Sequence, residues 1–125
     1  MIGYVTLGTN NFEKAAAFYD SLLGEIGAGR FMEADSFIAW ATAPDQPGLS
    51  IIKPYDGNEA CIGNGVMIAL VVDSTEKVDA LHAKAMSLGA TDEGAPGFRG
   101  EGFYVGYFRD LDGNKLNFFS MPSPE

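Results

Sequence analysis

A chain of 125 residues, 46% of them hydrophobic, is sized for one domain with a substantial core. Seventeen acidic residues against eight basic ones leave a net charge of −9, which disfavours nucleic-acid phosphates and anionic lipid as partners. The longest apolar run, Val66 to Val72, is too short to cross a bilayer, and the opening MIGYVTLG does not read as a signal peptide. The single cysteine, Cys61, has no internal disulfide partner, so a reducing, cytoplasmic setting is expected.

The opening IGYVTLG has extended character. Asn10 then offers a helix N-cap, with Glu13 three positions on as its capping-box partner. Phe12, Ala15, Ala16, Tyr19, Leu22 and Leu23 recur at helical spacing, and Gly24 and Gly27 end that helix. Strand-like runs follow near 26–33, 36–42 and 49–54, separated by turns at Ala34-Asp35 and at 44–48. A Gly- and Asn-bearing connector spans 56–64. The order then repeats. Val66 to Val72 reads as a strand. Asp73 is the expected cap and Glu76 its partner, and Val78, Leu81, Ala85 and Leu88 form a helical stripe ended by Gly89. Further strands are expected near 91–94, 103–109 and 115–120, with Asp112-Gly113 as the last hairpin turn. The polar, Pro-bearing tail MPSPE is expected to fray.

An offset of 63 residues places Leu7 on Leu70, Glu13 on Glu76, Lys14 on Lys77 and Ala17 on Ala80. An offset of 67 places Asp45 on Asp112 and Leu49 on Leu116. The chain therefore reads as an α+β domain, 1–125, built from two βαβββ modules, about 1–55 and about 65–121, joined by the 56–64 connector. One sheet face of each module is covered by its helix, and the inner faces are expected to form a concave cleft with the helices outside. Alternation along the strands sends Val5, Leu7, Ile68, Leu70, Leu116 and Phe118 under the helices. It sends Tyr4, Thr6, Ser50, Ile52, Met67, Ala69, Asn117 and Phe119 to the cleft. The 67-residue offset pairs Trp40 with Tyr107 and Ile38 with Val105, which adds these four to the cleft lining.

Four stretches carry a resemblance: IGYVTLGTNNFEKAAAFYDSLL, GNGVMIALVVDS, DEGAPG and YVGYFRDLDGNKLNFF. Together they resemble, from end to end, the vicinal-oxygen-chelate superfamily of glyoxalases, bleomycin-resistance proteins and extradiol dioxygenases. RDLDGNKLNFF is the most specific, being similar to that family's terminal hairpin. The resemblance implies where a divalent cation would be held in family enzymes, by His, Gln or Glu on four strands. Those positions are occupied here by Tyr4, Ser50, Met67 and Asn117. Close relatives read His at the first and third and Glu at the fourth. A phenol with a pKa of about 10, a hydroxyl, a thioether and a neutral amide are poor ligands for such an ion. The expectation is therefore no metal and no cofactor.

The remaining reactive residue types read as structural. His82, the only histidine, sits on the second helix at the border of its apolar stripe, so no His-based triad or acid–base pair can be written. Cys61 has no cationic neighbour to activate it. Glu33, Asp35, Glu59, Glu93 and Glu101 are candidate general bases, read mainly as solvated turn residues. Arg99, in the Gly97–Gly102 stretch, is a candidate partner for an anionic ligand, though a solvated loop role is the plainer reading. The glycines at 63–65 and 112–114 precede no phosphate-cradling helix.

The expected lining, Tyr4, Ile38, Trp40, Ser50, Ile52, Met67, Val105, Tyr107, Asn117 and Phe119, is largely apolar and aromatic with a few hydroxyls and amides. It suits metal-independent binding of a small, partly aromatic molecule, similar to bleomycin-resistance proteins. Two other readings stay open: a lyase, isomerase or dioxygenase with an atypical or absent metal site, and a family member acting through protein contacts. Exposed sheet edges and the habits of the family point to a homodimer.

Overall fold

The computed structural model describes residues 1–122, so the tail expected to fray lies largely outside the described residues. The chain divides into two compact units, Met1–Ile62 and Gly63–Glu125. Each runs strand, helix, three strands. The first contains β1 (Tyr4–Gly8), α1 (Phe12–Gly24), β2 (Gly29–Ala34), β3 (Phe37–Ala41) and β4 (Gly48–Ile52), with sheet order β1-β4-β3-β2. The second contains β5 (Ile68–Val71), α2 (Thr75–Ser87), β6 (Thr91–Phe98), β7 (Tyr104–Arg109) and β8 (Lys115–Ser120), in the equivalent order β5-β8-β7-β6. In each sheet the first strand pairs parallel with the last, and the other pairings are antiparallel.

Both helices start one residue later than the sequence suggests. Asn11 Oδ1 accepts from the Lys14 backbone N–H, and Ser74 Oγ accepts from that of Lys77, each at 3.2 Å. Asn11 and Ser74 are therefore the N-caps, and a lysine stands where a capping box would need Glu or Gln. Asn10 and Asp73 have other partners. The Asn10 amide brackets the backbone of Ala60, receiving its N–H at 2.7 Å and donating to its carbonyl at 3.0 Å. Asp73 pairs with Lys77 at 3.0 Å.

In the first unit, the α1 stripe of Ala15, Ala16, Phe18, Tyr19, Leu22 and Leu23 is buried. Leu7, Ile38, Trp40, Leu49 and Ile51 are buried on the sheet face that meets it. Trp40 fixes which face this is. Its ring lies 5.7 Å from that of Tyr19, and its indole N–H donates to Asp20 Oδ1 at 2.9 Å. Asp20 is gripped from the other side by Arg30, which donates from Nε at 2.9 Å and from Nη2 at 2.6 Å. Arg30 also reaches Glu33 at 2.7 Å. A register shift between Arg30 and Met32 lets Arg30 stay on the helix side while Met32, paired with Ala39, is on the other.

Ile38 and Trp40 are thus corrected from the expected lining: they are core residues beneath α1, 4% and 1% exposed. The error is one of hairpin length. Trp40 pairs with Leu49, nine positions on, whereas Phe108 pairs with Leu116, eight positions on. The offset of 67 therefore holds for β4 and β8 but becomes 68 for β3 and β7. Trp40 corresponds to Phe108 and Ile38 to Gly106. A one-residue slip moves every side chain of a strand to the opposite face.

In the second unit, α2 lies against β6, β7 and β8. Val78, Leu81, Ala85, Phe108, Leu116 and Phe118 are buried, and the Phe108 and Phe118 rings stack at 5.6 Å. His82 is buried more deeply than its border position suggests, at 7% exposure. Its Nε2 lies 3.1 Å from both Asp92 Oδ1 and the Tyr107 carbonyl oxygen. Gly106 makes the room, since a Cβ there would come within 3.1 Å of the imidazole. His82 ties α2 to β6 and β7, which is a structural role.

The Asp20 carboxyl is held below its ordinary pKa of 3.8, first by the Arg30 hydrogen bonds and then by the Trp40 N–H. A depressed folded-state pKa gives stability that is fully present above the unfolded value and is lost as pH falls through the folded one. Urea melts of wild type and Asp20→Asn are therefore expected to differ at pH 7 and to converge below about pH 4. A gap that stays constant with pH would show that the charge on Asp20 contributes nothing.

Candidate functional site

The face of each sheet turned away from its helix carries the remaining candidates. In the first unit, β1 and β4 run in register, with Thr6 opposite Ser50 and Tyr4 opposite Gly48. Ser50 is fully buried and its hydroxyl is spoken for. Its proton goes to the Val5 carbonyl at 2.8 Å, so it receives the Thr6 hydroxyl proton at 2.7 Å. Tyr4 is exposed and meets the edge of the Phe37 ring, centroids 6.2 Å apart. Ile52 pairs with Phe37 across the β3–β4 ladder. Phe31 covers Gly48, where a Cβ would come within 2.9 Å of the ring. Phe31, Met32 and Phe37 were not among the sequence candidates. Phe37 takes the place assigned to Ile38 once the longer hairpin is counted. Phe31 shares this side with Met32 through the register shift, which leaves no signature in alternation.

In the second unit, Asn117 on β8 pairs with Tyr107 on one side and Ala69 on the other. Val105 pairs with Phe119, whose ring lies 5.5 Å from that of Phe103. The unit thus brings Met67, Val105, Tyr107, Asn117 and Phe119 onto one face. Met67 precedes β5, and its sulfur accepts from Asn117 Nδ2 at 3.5 Å. Asn117 is 1% exposed, and its Oδ1 is a buried acceptor with no hydrogen-bond partner among the described residues. An orphaned amide oxygen costs about 1–3 kcal/mol of desolvation that a thioether contact on the nitrogen does not offset. A buried acceptor in that state needs a partner that the described residues do not supply.

Arg99 is not a free loop residue. β6 extends to Phe98, and the Arg99 guanidinium folds back over it, donating to the carbonyls of Gly97, Ala95 and Val105. Two of the candidate bases are occupied by cations: Glu33 by Arg30 and Glu93 by Arg109, the latter at 2.8 Å. Asp35, Glu59 and Glu101 are exposed, as is Cys61.

The four positions where the family resemblance puts metal ligands do not fit a divalent cation. Ser50 has committed its proton and accepts another, and Asn117 contributes one neutral oxygen beside a thioether. Tyr4 brings an exposed phenol packed on Phe37. Hard and borderline ions call for carboxylate or imidazole donors. Among the described residues, no group of three or more His, Cys, Asp or Glu side chains is placed to hold a metal ion. No helix among them is long and apolar enough to cross a membrane.

A duplicated βαβββ unit, each four-stranded sheet backed by one helix, defines an α+β fold of the glyoxalase and bleomycin-resistance kind. Residues 1–118 match the model of the Glyoxalase/Bleomycin resistance protein/Dioxygenase superfamily, and the chain belongs to that family. A glyoxalase/bleomycin resistance protein from Albidiferax ferrireducens is 36% identical, with a TM-score of 0.89 over 98% of this chain and 99% of that one. A hypothetical protein from S. aureus is 26% identical, with a TM-score of 0.75 over 96% and 92%. A lactoylglutathione lyase from Agrobacterium tumefaciens shares the fold at 18% identity, with a TM-score of 0.72 over 96% and 92%. No curated protein matches the chain.

The orphaned oxygen makes a direct prediction. Asn117→Leu keeps the branching of the side chain while removing an unsatisfied polar group, and its bulkier methyls offset part of that gain, so thermal stability should change by less than about 1 kcal/mol. A loss of more than about 2 kcal/mol would mean that the amide is a structural hydrogen-bonding group.

Proposed function

We propose that this family member binds a small, partly apolar or aromatic molecule without a metal ion, against the helix-distal faces of its sheets. The carrying observation is Asn117. A fully buried amide with an unused acceptor stands beside Met67, Tyr107 and Phe119 on a face its own helix does not cover. Apolar surface with a few fixed polar groups is the usual make-up of a small-molecule site. Met67 adds a side chain that adapts to ligand shape. Metal independence is supported by the donor set, in which hydroxyls, a thioether and an amide replace charged or imidazole ligands.

Assembly as a homodimer belongs to the same reading. β1 and β2 end one sheet and β5 and β6 the other, and unpaired strand edges favour a second copy. Light scattering at micromolar concentration checks it, and a monomer across the concentration range would remove that part of the proposal.

A ligand that binds only the folded state raises stability by about 2.7 kcal/mol at a hundred times its Kd. A thermal-shift screen with indole, 2-naphthol and small substituted benzenes should give dose-dependent upward shifts that Asn117→Leu diminishes. Zn²⁺, Mn²⁺ and Ni²⁺ should give none. An upward shift with a stoichiometric divalent ion, or no response to any aromatic, would contradict the reading.

A further inference from the structure

The helix-distal face of the second sheet carries more positive charge than its surroundings explain. Tyr107 at its centre is met by two cations: Lys115 Nζ lies 5.3 Å from the ring centroid and the Arg99 guanidinium carbon 5.8 Å. Arg109, paired with Lys115 across the β7–β8 ladder, adds a third, and Glu93 answers it. No carboxylate among the described residues forms an ion pair with Arg99 or Lys115. In a chain of net charge −9, with 17 acidic residues available, two unpaired cations on one tyrosine ring stand out.

The Arg99 guanidinium is also seated. Carbonyls of Ala95, Gly97 and Val105 take three of its five N–H groups, at 2.8, 3.0 and 3.3 Å, and leave two. Gly94 and Gly97 clear the ground beneath it: a Cβ at either would approach a guanidinium nitrogen to 3.2 or 3.1 Å. Gly94 has φ +156, at the edge of the range that favours glycine. Carbonyl dipoles hold the group in place without cancelling its charge. Further across the sheet, Phe119, its ladder partner Val71 and the Phe103 ring packed on it supply partly or fully exposed apolar surface.

We infer that Arg99 and Lys115, flanking Tyr107, form an anion subsite, and that the molecule bound on this face is a small organic acid: a carboxylate head with an apolar or aromatic body. The inference rests on the proposed binding function and specifies the ligand class for it. A planar carboxylate matches the two remaining guanidinium N–H groups, and Lys115 contributes a mobile second charge. The apolar body would lie along Phe119 and Phe103, and Asn117 Oδ1 would take a donor such as an α-hydroxyl or ammonium.

Matched pairs test the charge separately from the apolar body. Isothermal titration with phenylacetate against phenylacetamide, and with mandelate against mandelamide, reads the preference directly. The acid of each pair should bind about tenfold more tightly than its amide. High salt should weaken only the acids. Lys115→Met, which removes no hydrogen bond, and Arg99→Gln should each weaken the acid by about tenfold and the amide by less, so that the preference for the acid disappears. Circular dichroism checks that both variants are folded. Acids and amides binding equally would overturn the anion subsite and leave the apolar-binding function standing. A preference for acids that survives both substitutions would place the anion elsewhere and overturn it too. If neither member of any pair binds, the anion subsite and the binding function fall together.

Discussion

Everything about this protein's sites depends on strand parity, which is set where a strand is pinned to its helix. In the first unit the pin is the Trp40 indole, buried under α1 and hydrogen-bonded to Asp20. Because side chains alternate with a period of two, fixing Trp40 on the helix side fixes Ile38 there too and sends Phe37, Ala39 and Ala41 to the other face. The ladder carries the same assignment to β4, placing Ser50 and Ile52 opposite the helix, and through β4 to β1, placing Tyr4 and Thr6 there. In the second unit His82 does the equivalent job, reaching from α2 to Asp92 and to the Tyr107 carbonyl. Burying an indole and an imidazole is tolerable because the indole N–H and the imidazole Nε2 each find a partner.

The two helix-distal faces differ in chemistry although they share a plan. The first has closed its polar groups on one another: the Thr6 hydroxyl, the Ser50 hydroxyl and the Val5 carbonyl form a short chain, on a sheet whose exposed aromatic groups include Tyr4 and Phe31. The second leaves, among the described residues, an amide oxygen unanswered and two cations without a carboxylate. A duplicated unit frees one copy to relax towards stability while the other retains groups that cost stability. Unsatisfied buried acceptors and uncancelled charge are costs of that kind, and such costs collect at functional sites.

Most of the architecture was legible because it rests on local signals. The helical stripes, the strand runs, the turns at Asp35 and Gly113 and the 63-residue offset are carried by single residues and short periods. The caps were misplaced by one because Asn10-Asn11 and Asp73-Ser74 each offer two capping side chains in a row, and the first of each pair is taken by another partner. For Asn10 that partner is Ala60, fifty positions away. The face assignment of β3 failed for a different reason. One extra residue in the β3–β4 hairpin is nearly invisible in an alignment of two diverged halves, yet it inverts a strand. The seating of Arg99 was beyond reach, since it depends on three carbonyls and two glycines brought together by irregular pairing of β6 with β7.

The central claim is that the helix-distal face of the second sheet is a binding face. Two-dimensional ¹H–¹⁵N NMR of the labelled protein, titrated with phenylacetate, tests it most directly. The account predicts saturable shifts of the Asn117 side-chain amide and of the backbone amides of Tyr107, Lys115 and Phe119, while the Trp40 indole signal, sealed under α1, stays still. Shifts centred on Trp40 and α1, or none along β7 and β8, would contradict it.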